Sequence, residues 1–176
     1  DKVYAFDKAG FVAKGIDFAP EVVALAKQHW PHLNIQQGDV RRLATETASI
    51  DGYWSLGVIE HFIDGYGEIA AEIARVLRPG GYLFLTFPMM NRIRARRARR
   101  GEITAVGSAD ERDIKTNFYQ YALNPAQVTK DFHGLGFTLR YQGGLSTLDC
   151  LSEEARWFKG IAWVMKRLPL GLYVKL

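Results

Sequence analysis

Short apolar runs alternate with helical-period segments over the first ninety residues, an order that predicts interleaved strands and helices. Residues 11–17, FVAKGID, read as a short strand ending on Asp17. Pro20 suits the first turn of a helix, where its missing donor costs nothing. That helix continues through VVALAKQHW, with Val22, Leu25, Ala26 and His29 on one side, and ends at Pro31. Residues 33–36 form the next strand, followed by Gly38 and Asp39. The run DGYWSLGV at 51–58 has the apolar and aromatic content of a buried strand in a parallel sheet. From Tyr66 to Leu77 the period is helical, with Ile69, Ile73, Val76 and Leu77 at i, i+4, i+7 and i+8. Arg75 and Arg78 suit the negative pole at its end. Pro79, Gly80 and Gly81 break the helix, and YLFLTF at 82–87 is a further buried strand. Strands and helices in this order predict an α/β sandwich with a mostly parallel sheet.

Beyond Pro88 the rhythm changes. Residues 89–117 read as a basic cap segment inserted over one end of the sheet. Asn124 and Pro125 predict a helix cap and first turn, with Gln127 at the capping-box position and Val128 and Phe132 on the apolar face. Gly134 and Gly136 close that helix before a strand, FTLRYQ, at 137–142. Ser152 caps a last helix through Leu168, and residues 172–176 open a final strand.

At 176 residues, 48% apolar and 24% charged, the chain has the size and balance of one globular domain. The single Cys150 excludes an intrachain disulfide, and the four histidines have no metal-ligand spacing, so no metal site is expected. No apolar run reaches membrane-span length, and the charged first ten residues do not look like a signal peptide, so a cytoplasmic protein is expected. The net charge of +4 is local. RIRARRARR at 92–100 holds six of the 23 basic residues, and the remaining 17 face 19 acidic ones. A generally basic nucleic-acid-binding surface is therefore not required. Six like charges in nine residues disfavour an isolated helix, and the run reads as a mobile flap at the substrate entrance or as a solvated helix face. A nucleic acid, an anionic membrane surface or an anionic small substrate are the partners such a segment would take.

In an open parallel sheet, ligands lie beyond the carboxyl ends of the strands. Asp17 and Asp39 fall there, and so do Leu56 and Gly57. An ionised carboxylate at a strand end has two oxygens with which to accept both ribose hydroxyls. Aspartate is also a common turn former, and both readings of Asp17 stand.

Taken together, Asp17-Phe18-Ala19-Pro20-Glu21, Gly38-Asp39-Val40, Asp51-Gly52-Tyr53, Leu56-Gly57-Val58-Ile59-Glu60-His61-Phe62 and Leu77-Arg78-Pro79-Gly80-Gly81 resemble, in order and separation, the class I S-adenosylmethionine-dependent methyltransferase superfamily. The likeness is strong to about residue 90 and moderate over 118–142. It implies a Rossmann-like sandwich in a single domain over 1–176, with S-adenosylmethionine as cofactor and an acceptor of small-molecule type. Asp17 would hold the ribose hydroxyls, Phe18 would pack near the adenine, Asp39 would accept from the adenine amino group and Val40 would line its pocket. Leu56 and Gly57 would lie near the methionine part. His61 resembles a residue at the active-site mouth and is the candidate base, since imidazoles titrate near neutrality. For His61 and Glu60, capping of the following turn is an equal alternative.

The sequence departs from that pattern in one respect. No GxGxG occurs in it, and the opening DKVYAFDKAGF resembles the end of the helix that follows the family's glycine-rich loop. The first strand and that loop are therefore expected to lie upstream, the strand between those at 11–16 and 52–58. A dinucleotide oxidoreductase would use Asp17 in the same way, and a non-catalytic protein of the same fold is a third reading.

Overall fold

The computed structural model describes residues 2–100 and 120–144. They belong to two units, one running to Pro88 with Gly134–Gly136, the other comprising Met89–His133 and the chain from Phe137. The expected last helix and final strand lie outside the described residues, as does the part of the expected cap segment at 101–117.

The first unit is α/β. Its elements are α1 (Lys2–Lys8), β1 (Lys14–Asp17), α2 (Pro20–His29), β2 (Asn34–Gln37), β3 (Ile50–Leu56), a 3-10 turn (Ile59–His61), α3 (Gly67–Val76) and β4 (Leu77–Thr86). Both strand pairings are parallel. β1 lies against β2 with Asp17 opposite Gln37, and β3 lies against β4 with Leu56 opposite Thr86. Among the described residues the two pairs are not hydrogen-bonded to each other, and the break falls between β1 and β3, where the sequence leaves room for a further strand. The helix α1 touches both, since Val3 lies against Gly15 of β1 and the Phe6 ring sits 4.4 Å from that of Trp54 on β3.

The core of this unit is the inner face of α3. Ile69, Ala70, Ile73 and Val76 are buried, as is Leu77 beside them. These are the positions that the helical period marks, and each large side chain contributes roughly 1.5–3 kcal/mol by leaving water. Glu72, on the next stripe of α3, accepts the Leu43 amide at 2.6 Å and pairs with Arg75 at 2.7 Å. Arg75 also donates to the Leu43 carbonyl and the Thr47 hydroxyl. This brace fixes the loop that follows Asp39, and Arg75 holds the Glu72 carboxyl below the usual carboxylate range.

Three expectations need correcting here. The runs at 51–58 and 82–87 form strands as far as Leu56 and Thr86, but they are not generally buried. Only Ser55 of β3 is, while Trp54, Leu56, Tyr82 and Phe84 remain exposed. Their rings cover one another instead, with Trp54 stacked on Phe84 at 4.3 Å. The Pro79–Gly81 break is carried inside β4: partners advance from Ile50–Leu77 to Gly52–Tyr82, so three extra residues loop out on the β4 side. Gly80 there has φ 80°, and a Cβ on Gly81 would come within 3.0 Å of the Arg78 and Asp51 carbonyls, which is why the turn needs this pair. Arg78 then pairs with Asp51 across the strands rather than closing α3.

The second unit contains α4 (Arg92–Arg99) and α5 (Pro125–Gly134). The arginine run thus forms a helix despite its self-repulsion, with the Asn91 side chain accepting the Arg94 amide at 2.8 Å. Met89 bridges to Leu123, and the Met90 amide donates to the Leu123 carbonyl. Asn124 caps α5 by accepting the Ala126 amide, and Val128 and Phe132 are buried as the pattern requires. Gln127 does not complete a capping box; it donates to Asp131 one turn on. Residues 137–142 are not a strand: Phe137 packs edge-on against Phe132, while Leu139 and Tyr141 are exposed.

Candidate functional site at the carboxyl ends of the strands

Each residue singled out in the first unit lies at or just beyond a strand's carboxyl end. Asp17 is the last residue of β1 and half-buried. Its Oδ1 accepts the Ala19 amide at 2.9 Å, which turns the chain into α2. Its backbone carbonyl accepts the Gly38 amide at 3.0 Å, so the ends of β1 and β2 are tied together. Gln37 Nε2 adds a bond to the Phe18 carbonyl at 3.3 Å. These bonds hold Phe18 at the lip with its ring 76% exposed, a free apolar face beside a fixed carboxylate.

Asp39 follows β2, with Val40 half-buried next to it. The Asp39 carboxylate is already engaged. Arg41 donates to it from Nε (3.0 Å to each oxygen), from Nη2 (2.6 Å) and from its own amide (2.9 Å). These charge-assisted bonds hold the Asp39 carboxyl below its ordinary value. The Arg41 guanidinium also lies over the Phe62 ring, 5.4 Å from its centre. Arg41 thereby links the end of β2 to the turn after β3. This side chain was not singled out from the sequence; the only trace was its position two residues after an acid.

At the end of β3, Leu56 is exposed and Gly57 has φ 68°, a conformation that L side chains resist. The Gly57 amide donates to the Thr86 carbonyl, which extends the β3–β4 register by one bond. The chain then turns inward through Ile59 and Glu60, both buried, and outward again at His61. Glu60 is 2% exposed, and its Oε2 has no hydrogen-bond partner. Oε1 lies toward Gly57, 3.5 Å from where a Cβ would stand. Burial pushes the Glu60 carboxyl up, opposed by its own backbone and by His61. A buried carboxyl with an unpaired oxygen at a strand end is where an incoming donor would be held. The sequence placed Glu60 beside His61 but gave no sign that it, rather than the histidine, is buried.

The fold therefore ties Asp17 to the end of β2 and links Asp39 to Phe62 through Arg41. Glu60 and Gly57 sit together, and His61 is exposed next to them. No group of three or more His, Cys, Asp or Glu side chains among the described residues is arranged to hold a metal.

A family model described as "Methyltransferase domain" matches residues 3–85. A protein of Mycolicibacterium smegmatis named "Probable S-adenosylmethionine-dependent methyltransferase" is 30% identical over 156 residues, covering 83% of this chain and 54% of that one. The ubiquinone biosynthesis O-methyltransferase of Xanthomonas oryzae is 37% identical over 84 residues, covering 45% of this chain and 35% of that one. This chain thus spans about half the length of the first of these relatives and about a third of the second. Among solved structures, a SAM-dependent methyltransferase of Methanosarcina mazei superposes with a TM-score of 0.57 at 20% identity, over 73% of this chain and 70% of that one.

Proposed function

We propose that this chain, whose residues 3–85 match a methyltransferase-domain model and which is 30% identical to a probable S-adenosylmethionine-dependent methyltransferase, is a class I methyltransferase that binds S-adenosylmethionine across the ends of β1, β2 and β3 and transfers its methyl group to a small-molecule acceptor. The observation that carries this reading is the pair of carboxylates, Asp17 and Asp39, fixed at the ends of two adjacent parallel strands.

The residues present fit the cofactor. Asp17 spends one oxygen on Ala19 and keeps Oδ2 available, which leaves acceptor sites for two ribose hydroxyls. Phe18 offers an exposed ring to an adenine face. Asp39 fits with a condition: Arg41 occupies both its oxygens, so its remaining lone pairs take the adenine amino group alongside the guanidinium. Val40 lines that side. Leu56 and the Gly57 backbone border the methionine end. No GxGxG occurs among the 176 residues, and the assignment rests on the ribose, adenine and strand-end residues.

When bound, the cofactor supplies an electrophilic methyl group on sulfur. The chain's part is to hold donor and acceptor in line and to keep water out. His61, exposed beside the buried Glu60, is placed to take a proton from an oxygen or nitrogen acceptor as its bond to carbon forms. Calorimetry on the full chain tests the proposal, with S-adenosylmethionine, S-adenosylhomocysteine and NAD as titrants. Binding of the first two without NAD supports it. Binding of NAD alone would move the protein to the oxidoreductase reading, and binding of none would remove the cofactor from the assignment.

Two variants follow from this reading. Asp39→Asn is expected to weaken cofactor affinity and to leave the saturated transfer rate nearly intact, since Asp39 lies on the adenine side. A large loss of kcat with unchanged affinity contradicts that role. His61→Ala is expected to lower kcat more than cofactor affinity. A protein that melts earlier but turns over normally below its melting point would instead make His61 structural.

A further inference from the structure

We propose that α4 is a docking element for an anionic lipid bilayer surface, a property that does not depend on methyl transfer. The inference starts from how the helix divides its arginines. Arg92, Arg96 and Arg99 lie at i, i+4 and i+7, one stripe, and all three are exposed, whereas Arg94, Ala95, Arg97 and Ala98 are half-buried. The inward Arg94 is used within the fold: its Nη1 donates to the Met89 carbonyl at 2.9 Å. None of the three outward arginines is paired with a carboxylate among the described residues. No Asp or Glu occurs between Pro88 and Gly101 that would neutralise them.

Local energetics work against this arrangement. Arg92–Arg96 and Arg96–Arg99 are like-charge neighbours at helical spacing, which destabilises a helix. The first turn contains no acid and begins on Arg92, so positive side chains face the positive end of the helix dipole. A helix composed against its own electrostatics gains most from a negative surface.

The apolar neighbours select the kind of surface. Ile93 is 38% exposed at the edge of the arginine stripe, and Met89, just before the helix, is 48% exposed. Arginines flanked by exposed aliphatic side chains match the interfacial arrangement, in which guanidinium groups meet lipid phosphates while apolar tips enter the acyl boundary. A single-stranded nucleic acid would call for aromatic platforms on which bases stack, and residues 88–100 contain no Phe, Tyr or Trp. Over eight residues the helix is about 12 Å long, so it rests on a bilayer and does not cross it. Among the described residues no helix is long and apolar enough to span one.

Co-sedimentation of the full chain tests this, with vesicles of phosphatidylcholine alone, vesicles that also contain phosphatidylglycerol, and a single-stranded RNA as the competing polyanion. Binding is expected to the phosphatidylglycerol vesicles, to weaken with salt, and to be slight on phosphatidylcholine. The triple variant R92Q/R96Q/R99Q should lose roughly a hundredfold in partitioning, from contributions of about one factor of five per arginine near an anionic surface. R92K/R96K/R99K, which keeps the charge, should retain most of the binding and controls for misfolding. Ile93→Ser should weaken vesicle binding and leave any RNA binding unchanged. Equal partitioning onto both vesicle types, wild-type behaviour of the glutamine variant, binding of RNA without vesicles, or binding of neither overturns the proposal.

Discussion

Asp17→Ala is expected to weaken S-adenosylmethionine binding by roughly ten- to a hundredfold, about 1.5–3 kcal/mol, because charge-assisted hydrogen bonds to two hydroxyls are lost. The folded protein should survive this. Asp17 contributes one bond, from the Ala19 amide, at the entry to α2. The helix does not depend on that bond alone, since Pro20 begins it and Val23 anchors it in the core. A stability loss of about 1 kcal/mol is the expected limit. Asp17→Asn separates the two roles. Its amide oxygen can still accept from Ala19, but it presents one acceptor oxygen and no charge, so it should restore stability while leaving affinity well below the wild-type value. Titration calorimetry and thermal melts on the same three proteins measure both quantities. Affinity unchanged in the alanine variant removes Asp17 from the cofactor site.

The parts of this fold that were legible in the sequence are those set by local periodicity. The α3 stripe of Ile69, Ile73 and Val76 is buried as its spacing predicts, because a 3.6-residue period fixes a face whatever covers it, while Leu77, the last position of that pattern, is buried as the first residue of β4. The Asn124 cap and the Val128–Phe132 face of α5 were equally readable. What failed depended on partners distant in sequence. YLFLTF and DGYWSL carry the composition of buried strands, yet composition does not say what lies across each face, and Trp54, Tyr82 and Phe84 stay accessible while packing on one another. FTLRYQ alternates as a strand should, but no described strand pairs with it. The arginine helix was disfavoured by counting charges, a sum that leaves out the Asn91 cap and the inward turn of Arg94. At the site, the strand-end positions of Asp17, Asp39 and Gly57 followed from strand order. The Arg41 clamp on Asp39 and the burial of Glu60 are matters of side-chain direction, which one sequence does not encode visibly.

Glu60 supports the second large prediction, in which stability and ligand affinity move in opposite directions. Its ordinary carboxyl value is 4.5, and burial raises it in the folded protein. Between the ordinary and the raised value, the folded state keeps a proton that the unfolded chain has released. Stability therefore falls as pH rises through that window and stays lower by the full amount above it. Glu60→Met, which fills similar space with no charge and only a weakly accepting sulfur, removes both the titration and the unpaired Oε2. It is expected to raise stability by about 1–3 kcal/mol above the window, with the advantage shrinking as pH falls toward 4.5. Glu60→Gln should show a smaller gain, since its amide hydrogens need acceptors in the same buried place. Both variants should bind S-adenosylmethionine more weakly, because a cofactor bearing an ammonium and a sulfonium is the partner that a buried carboxyl beside Gly57 favours. Thermal melts over a pH series, paired with calorimetry at one neutral pH, measure the two effects independently. Variants that melt below the wild type at neutral pH would show that Glu60 is a satisfied structural acid. Variants that gain stability and keep full affinity would confine Glu60 to the fold and move the positively charged end of the cofactor elsewhere.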